Sequence, residues 1–380
     1  MQQTGKSLPE KDGGMTKILR QSIQEWFRRY FSNQQVIILI LLLAAGFILV
    51  YFFIGILMPV FAALIIAYVL DGVVKRLEDL PMGRLPAVLI VFSLFMAFLL
   101  AMLMVFLPLL YWEVAQLAQE LPSMIMDLRG QIQVLSQRYP DVMSPGRIRQ
   151  VQEIISSELT SIGEYLIQMS VSSVRSIITI LIYVVLVPFV TFFLLKDKDM
   201  ILSRLKGALP ENSGLAVQVG KEANRQFSNY VRGKIWEILI EWGLTYIAFI
   251  LLGLKYALLL SFFVGLSVLV PYIGVILAAL PAILVGLVQW GIGAQIAYLL
   301  GIFIVIQTIT SNIINPLLFS EMVNIHPVAI IVALLVFGEL WGVWGLVFAI
   351  PLATLIQTVI NAWIRTVSQR AAPEEKPGGR

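Results

Sequence analysis

The chain contains no cysteine and a single histidine among its 380 residues. Without cysteine there is no disulfide framework, no thiolate nucleophile and no zinc–thiolate site. One histidine cannot supply a histidine cluster for a metal. Charge is scarce as well, at 13% of residues against about 25% in ordinary soluble domains. No Gly-x-x-x-x-Gly-Lys-Ser/Thr pattern occurs, so Arg232-Gly233-Lys234 is not a nucleotide loop and direct ATP drive is not expected. No Ser/His pair, metal cluster or paired catalytic Asp is evident, so the chain reads as a non-enzyme with no cofactor. The net charge of +4 is not gathered into basic runs interleaved with aromatics, which argues against nucleic acid as a partner.

What the sequence has instead is apolar length. Residues of the apolar class make up 59%, and they form runs that approach or exceed the roughly 20 residues a helix needs to cross hydrocarbon. Val36 to Leu57 carries no charge, and Met58 to Val74 follows at once with only Asp71 ionised. Ala87 to Tyr111 and Ile177 to Leu195 come next, and from residue 235 the chain is nearly continuous hydrophobe to Trp363. The first run is too long for the core of a cleaved signal peptide and lacks a small-residue cleavage site. The fold class is therefore an all-α, polytopic membrane protein with about eight transmembrane helices.

Orientation follows from where basic residues collect, because cytoplasmic loops retain them. Lys6, Lys11, Lys17, Arg20, Arg28 and Arg29 place the N-terminus inside. Lys75, Arg76 and Arg84 mark a return two spans later, and a third basic group runs from Lys196 to Lys234. Arg365, Arg370, Lys376 and Arg380 put the tail inside, whereas Trp112 to Ser176 holds more acids than bases and is expected outside.

Two stretches interrupt the membrane pattern. Leu117, Leu121, Ile125, Leu128, Ile132 and Leu135 recur at three or four residues, as does a second stripe from Ile148 to Leu166 beyond the break at Tyr139 to Arg147. They predict an outer helical hairpin, with Pro122 in a first turn, packing on the membrane part or on a neighbouring subunit. The stripe Leu215, Val219, Ala223, Phe227 and Tyr230, beside basic residues, predicts a helix along the cytoplasmic headgroups. The chain thus divides into a basic cytoplasmic leader (1–35), transmembrane helices 1 to 3 (36–111), an extracytoplasmic hairpin (112–176), transmembrane helix 4 (177–195), a cytoplasmic amphipathic segment (196–234), a C-terminal transmembrane transport region (235–363) and a cytoplasmic tail (364–380).

The C-terminal third carries the functional signal. Tyr256 to Gln289 is too long for one span and is broken at Pro271-Tyr272-Ile273-Gly274. His326 to Trp363 is broken at Gly338 to Gly342. Paired hydrophobic segments interrupted by Gly or Pro point to a transporter site, since broken backbone within a bilayer must be shielded by protein or line a wet cavity. Gln307, Ser311 and Asn315 share one helix face, with Asn312 beside them; they could hold a polar solute or ion, or tie helices together. Glu237, Glu241 and Glu339 are intramembrane acids, each costing about 2.5 to 3.5 kcal/mol near the bilayer centre on insertion scales, and each is a candidate for ion coupling or for internal pairing. Asp71 has Lys75 one turn on as a partner. His326, before Pro327, reads as a cap for the helix that follows.

Tyr230-Val231-Arg232-Gly233-Lys234, Gly253-Leu254 followed by Tyr256-Ala257, Pro271-Tyr272-Ile273-Gly274, Asn315-Pro316, Val323-Asn324-Ile325-His326-Pro327, Gly338-Glu339-Leu340-Trp341-Gly342 and Ala349-Ile350-Pro351 resemble the autoinducer-2 exporter family, also called PerM-like permeases. The resemblance covers nearly the whole chain. It implies about eight spans, a homo-oligomer with a pentamer as one form in a bacterial inner membrane, and export of small polar solutes such as a furanosyl signal; some members resemble sodium/proton antiporters. Glu237 and Glu241 stand where such proteins have apolar residues, and Asp71-Gly72 where Asn-Pro is common, departures that favour a cation-coupled variant. The expected function is a secondary transporter that exports a small polar solute by alternating access. The alternatives are a monovalent cation/proton antiporter and a membrane scaffold that transports nothing.

Overall fold

The computed structural model describes residues 34–138, 173–210, 213–271, 273–319 and 325–371, and among these every regular element is helical. The leader, the outer break and second outer stripe, Tyr272, Val323-Asn324 and the end of the tail lie outside the described residues.

Helix α1, Gln34–Glu78, runs 45 residues without a turn, with Pro59 inside it. Val36 to Leu57 and Met58 to Val74, expected as two spans, are one continuous helix. The junction Leu57-Met58-Pro59 lacks the glycine or polar residues a turn would require, and proline removes only one donor from the ladder. α2, Arg84–Ala101, passes through a π-helical stretch, Met102–Phe106, into α3, Leu107–Arg138. Pro122 thus sits inside α3 and not in a first turn. Leu121, Met124 and Leu128 are buried, so the first outer stripe packs on its own chain.

α4, Ser173–Lys196, meets α5, Lys198–Gly207, at a bend of 74°. α6, Gly214–Leu252, is a single helix through both the expected headgroup segment and the following span. Its stripe packs within the chain: Leu215 and Val219 lie against Val36 and Leu39 of α1. α6 stops where Gly253 turns left-handed (φ 67) and the amide of Leu254 returns to the carbonyl of Phe249, a glycine-closed C-terminus.

The break at Pro271 is present. α7, Ala257–Ser267, is only 11 residues, about 16 Å at 1.5 Å per residue and far short of a roughly 30 Å hydrocarbon layer. The chain turns at Val268–Pro271 into α8, Ile273–Trp290. Gly274 permits that turn, because a Cβ there would overlap the carbonyl of Ser267. Acid and amide side chains secure the opposite end of α7: Glu113 accepts the Leu259 amide at 2.7 Å, and Gln289 bridges Lys255 N–H and Gly253 C=O. α9, Ala294–Ile309, continues through a π-helical stretch, Thr310–Ile314, into α10, Asn315–Phe319. α11, Pro327–Ala371, is broken at Gly342 (φ 60, ψ −138), a backbone conformation that side-chain-bearing residues avoid.

Among the described residues six helices are long and apolar enough to cross a bilayer, and seven if the bent α4–α5 pair counts as one span. Their outer faces are apolar: Leu41, Phe52 and Ile56 are 63%, 73% and 75% exposed. Water would not tolerate that surface, and lipid does. α6 packs against α1, α7, α9, α10 and α11 and so forms the axis of the site.

Candidate functional site

The sequence Tyr230-Val231-Arg232-Gly233-Lys234 on α6 does three structural jobs within one turn. Arg232 Nε donates to the Tyr68 carbonyl on α1 at 3.3 Å, and its guanidinium lies against Gly72, where a Cβ would come within 3.0 Å of Cζ. Gly233 seats the end of α10; a Cβ there would stand 2.6 Å from Phe319 Cε1 and 3.3 Å from the Leu318 carbonyl. Lys234 points inward. It donates to Glu237 Oε2 at 2.7 Å and to the carbonyl of Val268, in the α7–α8 break, at 2.8 Å, with its ammonium 5.6 Å from the Phe319 ring centroid. The C-terminal end of the short half-helix is thereby tied to α6 by a cation, as a backbone break inside an apolar bundle requires.

Around this pair lies a cavity of about 540 Å³, within the range of small-molecule sites. Tyr230, Lys234 and Glu237 form one wall, and Val268 and Pro271 at the helix break a second. Gln307, Thr310, Ser311 and Asn315 on α9, the π-helical stretch and the start of α10 form a third; Ile330, Ile350 and Thr354 of α11 close it. Thr310 and Ser311, three and four residues beyond Gln307, share its helix face.

Glu241, one turn beyond Glu237, is fully buried behind that third wall. Gln307 Nε2 donates to its Oε1 and Thr310 Oγ1 to its Oε2. A carboxylate so enclosed would be prohibitive if unbonded, and these two donors satisfy it.

Of the residues singled out in the sequence, the structure brings Glu237, Pro271, Gln307, Ser311 and Asn315 to one cavity and sets Glu241 directly behind it. Gly274 sits buried in the hairpin turn, and Tyr272 lies outside the described residues. Asn312 is exposed and donates to the Thr308 carbonyl at 2.9 Å, away from the cavity. Glu339 is exposed on α11 and does not reach the cavity wall. Asp71 belongs to a separate ionic cluster at the far end of α1: Lys198 Nζ reaches it at 2.7 Å, Arg84 at 3.5 Å and Lys75 at 3.7 Å. His326 Nδ1 accepts the Val328 amide at 3.3 Å and caps α11. Lys234, Thr310 and Tyr230 were not among the sequence candidates. Lys234 reads as one more basic residue in a cytoplasmic group, although its i,i+3 spacing to Glu237 is a signal for pairing.

A second cavity, about 730 Å³, lies between α1, α6 and α11 and is walled by Phe47, Phe61, Trp341, Phe348 and other apolar groups. It holds few polar handles. Among the described residues no cluster of three His, Cys, Asp or Glu could hold a metal.

An all-helical, multi-pass bundle with a polar cavity at the meeting point of two broken segments defines a membrane transport protein in architecture. The chain belongs to the AI-2E transporter family, whose profile matches residues 37–365. It is 41% identical over 341 residues to a protein of Escherichia coli (strain K12) named as the permease PerM, covering 90% of this chain and 97% of that one. It is 25% identical over 325 residues to the transport protein YueF of Bacillus subtilis (83% and 87% covered), and 27% over 305 residues to the transport protein sll0063 of Synechocystis (79% and 76%).

Proposed function

We propose that the protein is a secondary transporter that exports a small polar solute by alternating access, with the cavity beside Lys234 and Glu237 as the solute site. One observation carries this reading: a polar cavity bounded by a broken half-helix and a π-helical turn inside an otherwise apolar bundle. Such breaks destabilise a simple scaffold and serve a solute, because they give backbone and side-chain polar groups to a wet space. The family description makes an autoinducer-2-like solute one candidate. The setting is a bacterial inner membrane, and the protein works as a homo-oligomer. The test is efflux of labelled small polar metabolites from proteoliposomes. Val275→Trp, which fills the cavity from α8, abolishes efflux on this reading; undiminished efflux would remove the cavity from the path.

Glu241 supports a second reading, monovalent cation/proton antiport, in which a buried carboxylate alternates between a proton and a cation. Its two donors, Gln307 and Thr310, themselves face the cavity. Vesicles holding a pH dye under an imposed sodium gradient decide it. Sodium-dependent proton movement that is lost in Glu241→Gln and kept in Glu339→Gln would put antiport first. No proton movement with any alkali cation would eliminate it.

A further inference from the structure

Lys234 and Glu237 are the charged groups of the cavity wall, and their side chains are only 9% and 5% exposed. Every other described wall group is neutral. Tyr230 stands one turn before Lys234 on α6; the α7–α8 break offers the Val268 carbonyl; α9 to α10 offer Gln307, Thr310, Ser311, Asn315 and Phe319; α11 offers apolar groups and Thr354. Glu241 is the nearest further acid, and its oxygens are taken by Gln307 and Thr310.

A solute entering this space must come to terms with the ion pair. A lone anion that takes Lys234 leaves Glu237 buried without a counter-ion, and a lone cation on Glu237 strands Lys234. Removing one partner from a buried pair is strongly unfavourable, equivalent to a loss of affinity on the order of a hundredfold or more. A neutral solute leaves the pair intact and gains nothing from its charge. A solute carrying both charges exchanges one internal salt bridge for two external ones and strands neither partner. A further acceptor awaits it: Asn315 Oδ1 is buried in the same wall without a hydrogen-bond partner, and a buried acceptor left unpaired is unfavourable until a donor arrives. An ammonium group has three N–H donors, enough for both Glu237 and Asn315. Val275, Ile330 and Ile350 on the remaining walls suit an apolar side chain.

Resting on the solute-transporter reading, we propose that the cavity binds a zwitterionic amino acid with an apolar side chain, its carboxylate on Lys234 and its ammonium on Glu237 and Asn315. The test is isothermal titration of the purified full chain with alanine, valine, leucine and methionine. Each is matched with the acid lacking its ammonium and the amine lacking its carboxylate, and glycerol and ribose serve as neutral polar solutes. At least one amino acid binds, and its matched acid and amine bind about a hundredfold or more weakly. Glu237→Gln moves the preference to the acids, Lys234→Gln moves it to the amines, and Glu237→Asp keeps it for the amino acids. The wild-type series stands even where a variant fails to fold. The proposal is overturned if an acid or amine matches its amino acid, if the single variants keep the wild-type preference, or if no amino acid binds. Binding of glycerol or ribose alone overturns the zwitterion and leaves the polar-solute cavity standing. Amino-acid binding that survives Val275→Trp instead moves the site elsewhere and overturns both.

Discussion

Replacing Lys234 by Met keeps the aliphatic stem and removes the ammonium, which leaves Glu237 buried and without its 2.7 Å partner and deprives the Val268 carbonyl of its 2.8 Å donor. Breaking a buried pair from one side costs about 3 to 5 kcal/mol. Because both groups face a cavity wide enough for water, the lower end, about 3 kcal/mol, is the expected loss. Lys234→Met/Glu237→Leu strands no charge; replacing a buried pair by apolar groups of similar volume is often neutral or stabilising, so the double variant should lie within about 1.5 kcal/mol of the wild type, the residue being the Val268 carbonyl. Glu237→Leu strands Lys234 at a similar cost of about 3 kcal/mol, so the two single losses exceed that of the double variant by about 4.5 kcal/mol; this coupling is well above the median for exposed pairs of about 0 to 1 kcal/mol. Denaturant unfolding in mixed micelles, followed by tryptophan fluorescence, measures all four corners of the cycle. Additive single effects, with the double variant as unstable as their sum, would refute the claim that the pair is buried and mutually dependent.

Two further consequences test the packing around the site. Gly233→Ala pushes a methyl group against Phe319 and the Leu318 carbonyl and should destabilise by about 1 to 3 kcal/mol in the same unfolding assay; a neutral result would mean that α10 does not lie on α6. In the cluster around Asp71, Lys198→Ala removes the 2.7 Å partner, which is 28% exposed, whereas Lys75→Ala removes a 3.7 Å partner that is 60% exposed. The first should cost about 1 to 2 kcal/mol and the second less than about 0.5 kcal/mol; equal losses would contradict the assigned partners.

Much of the architecture was legible because hydrocarbon leaves the chain few options. Long uncharged runs had to be helices, and the grouped turn formers at Pro271 to Gly274 and Gly338 to Gly342 marked breaks where the lone Pro59 does not. Whether adjacent apolar runs turn or continue was not legible. In Leu57-Met58-Pro59 the one cue was the lack of glycine or polar turn residues, and the combined length of the two runs, enough for two spans, spoke against it. Polarity picked out Gln307 and Glu241 separately, but their contact spans 66 residues of sequence and depends on how α6 and α9 rotate about their axes. The same rotation decides Glu339: the break around it was visible, and the helical phase leaves its side chain exposed. Thr310 carries no signal of its own, because a threonine in a membrane helix commonly bonds its own preceding turn, as Thr308 does with the Ile304 carbonyl at 2.7 Å.

The chain has no cysteine, so a single introduced thiol reports its own surroundings without background. The most direct measurement labels Ser311→Cys, in the cavity wall, with a membrane-impermeant maleimide in right-side-out and inverted vesicles. Ile276→Cys, on the 66% exposed outer face of α8, serves as the lipid-facing control, where a thiol cannot form the reactive thiolate. An alternating solute site predicts labelling of Ser311→Cys from both sides, protection by the transported solute, and no reaction at Ile276→Cys. A thiol at position 311 that reacts from neither side would contradict a wet transport cavity at this place in the fold.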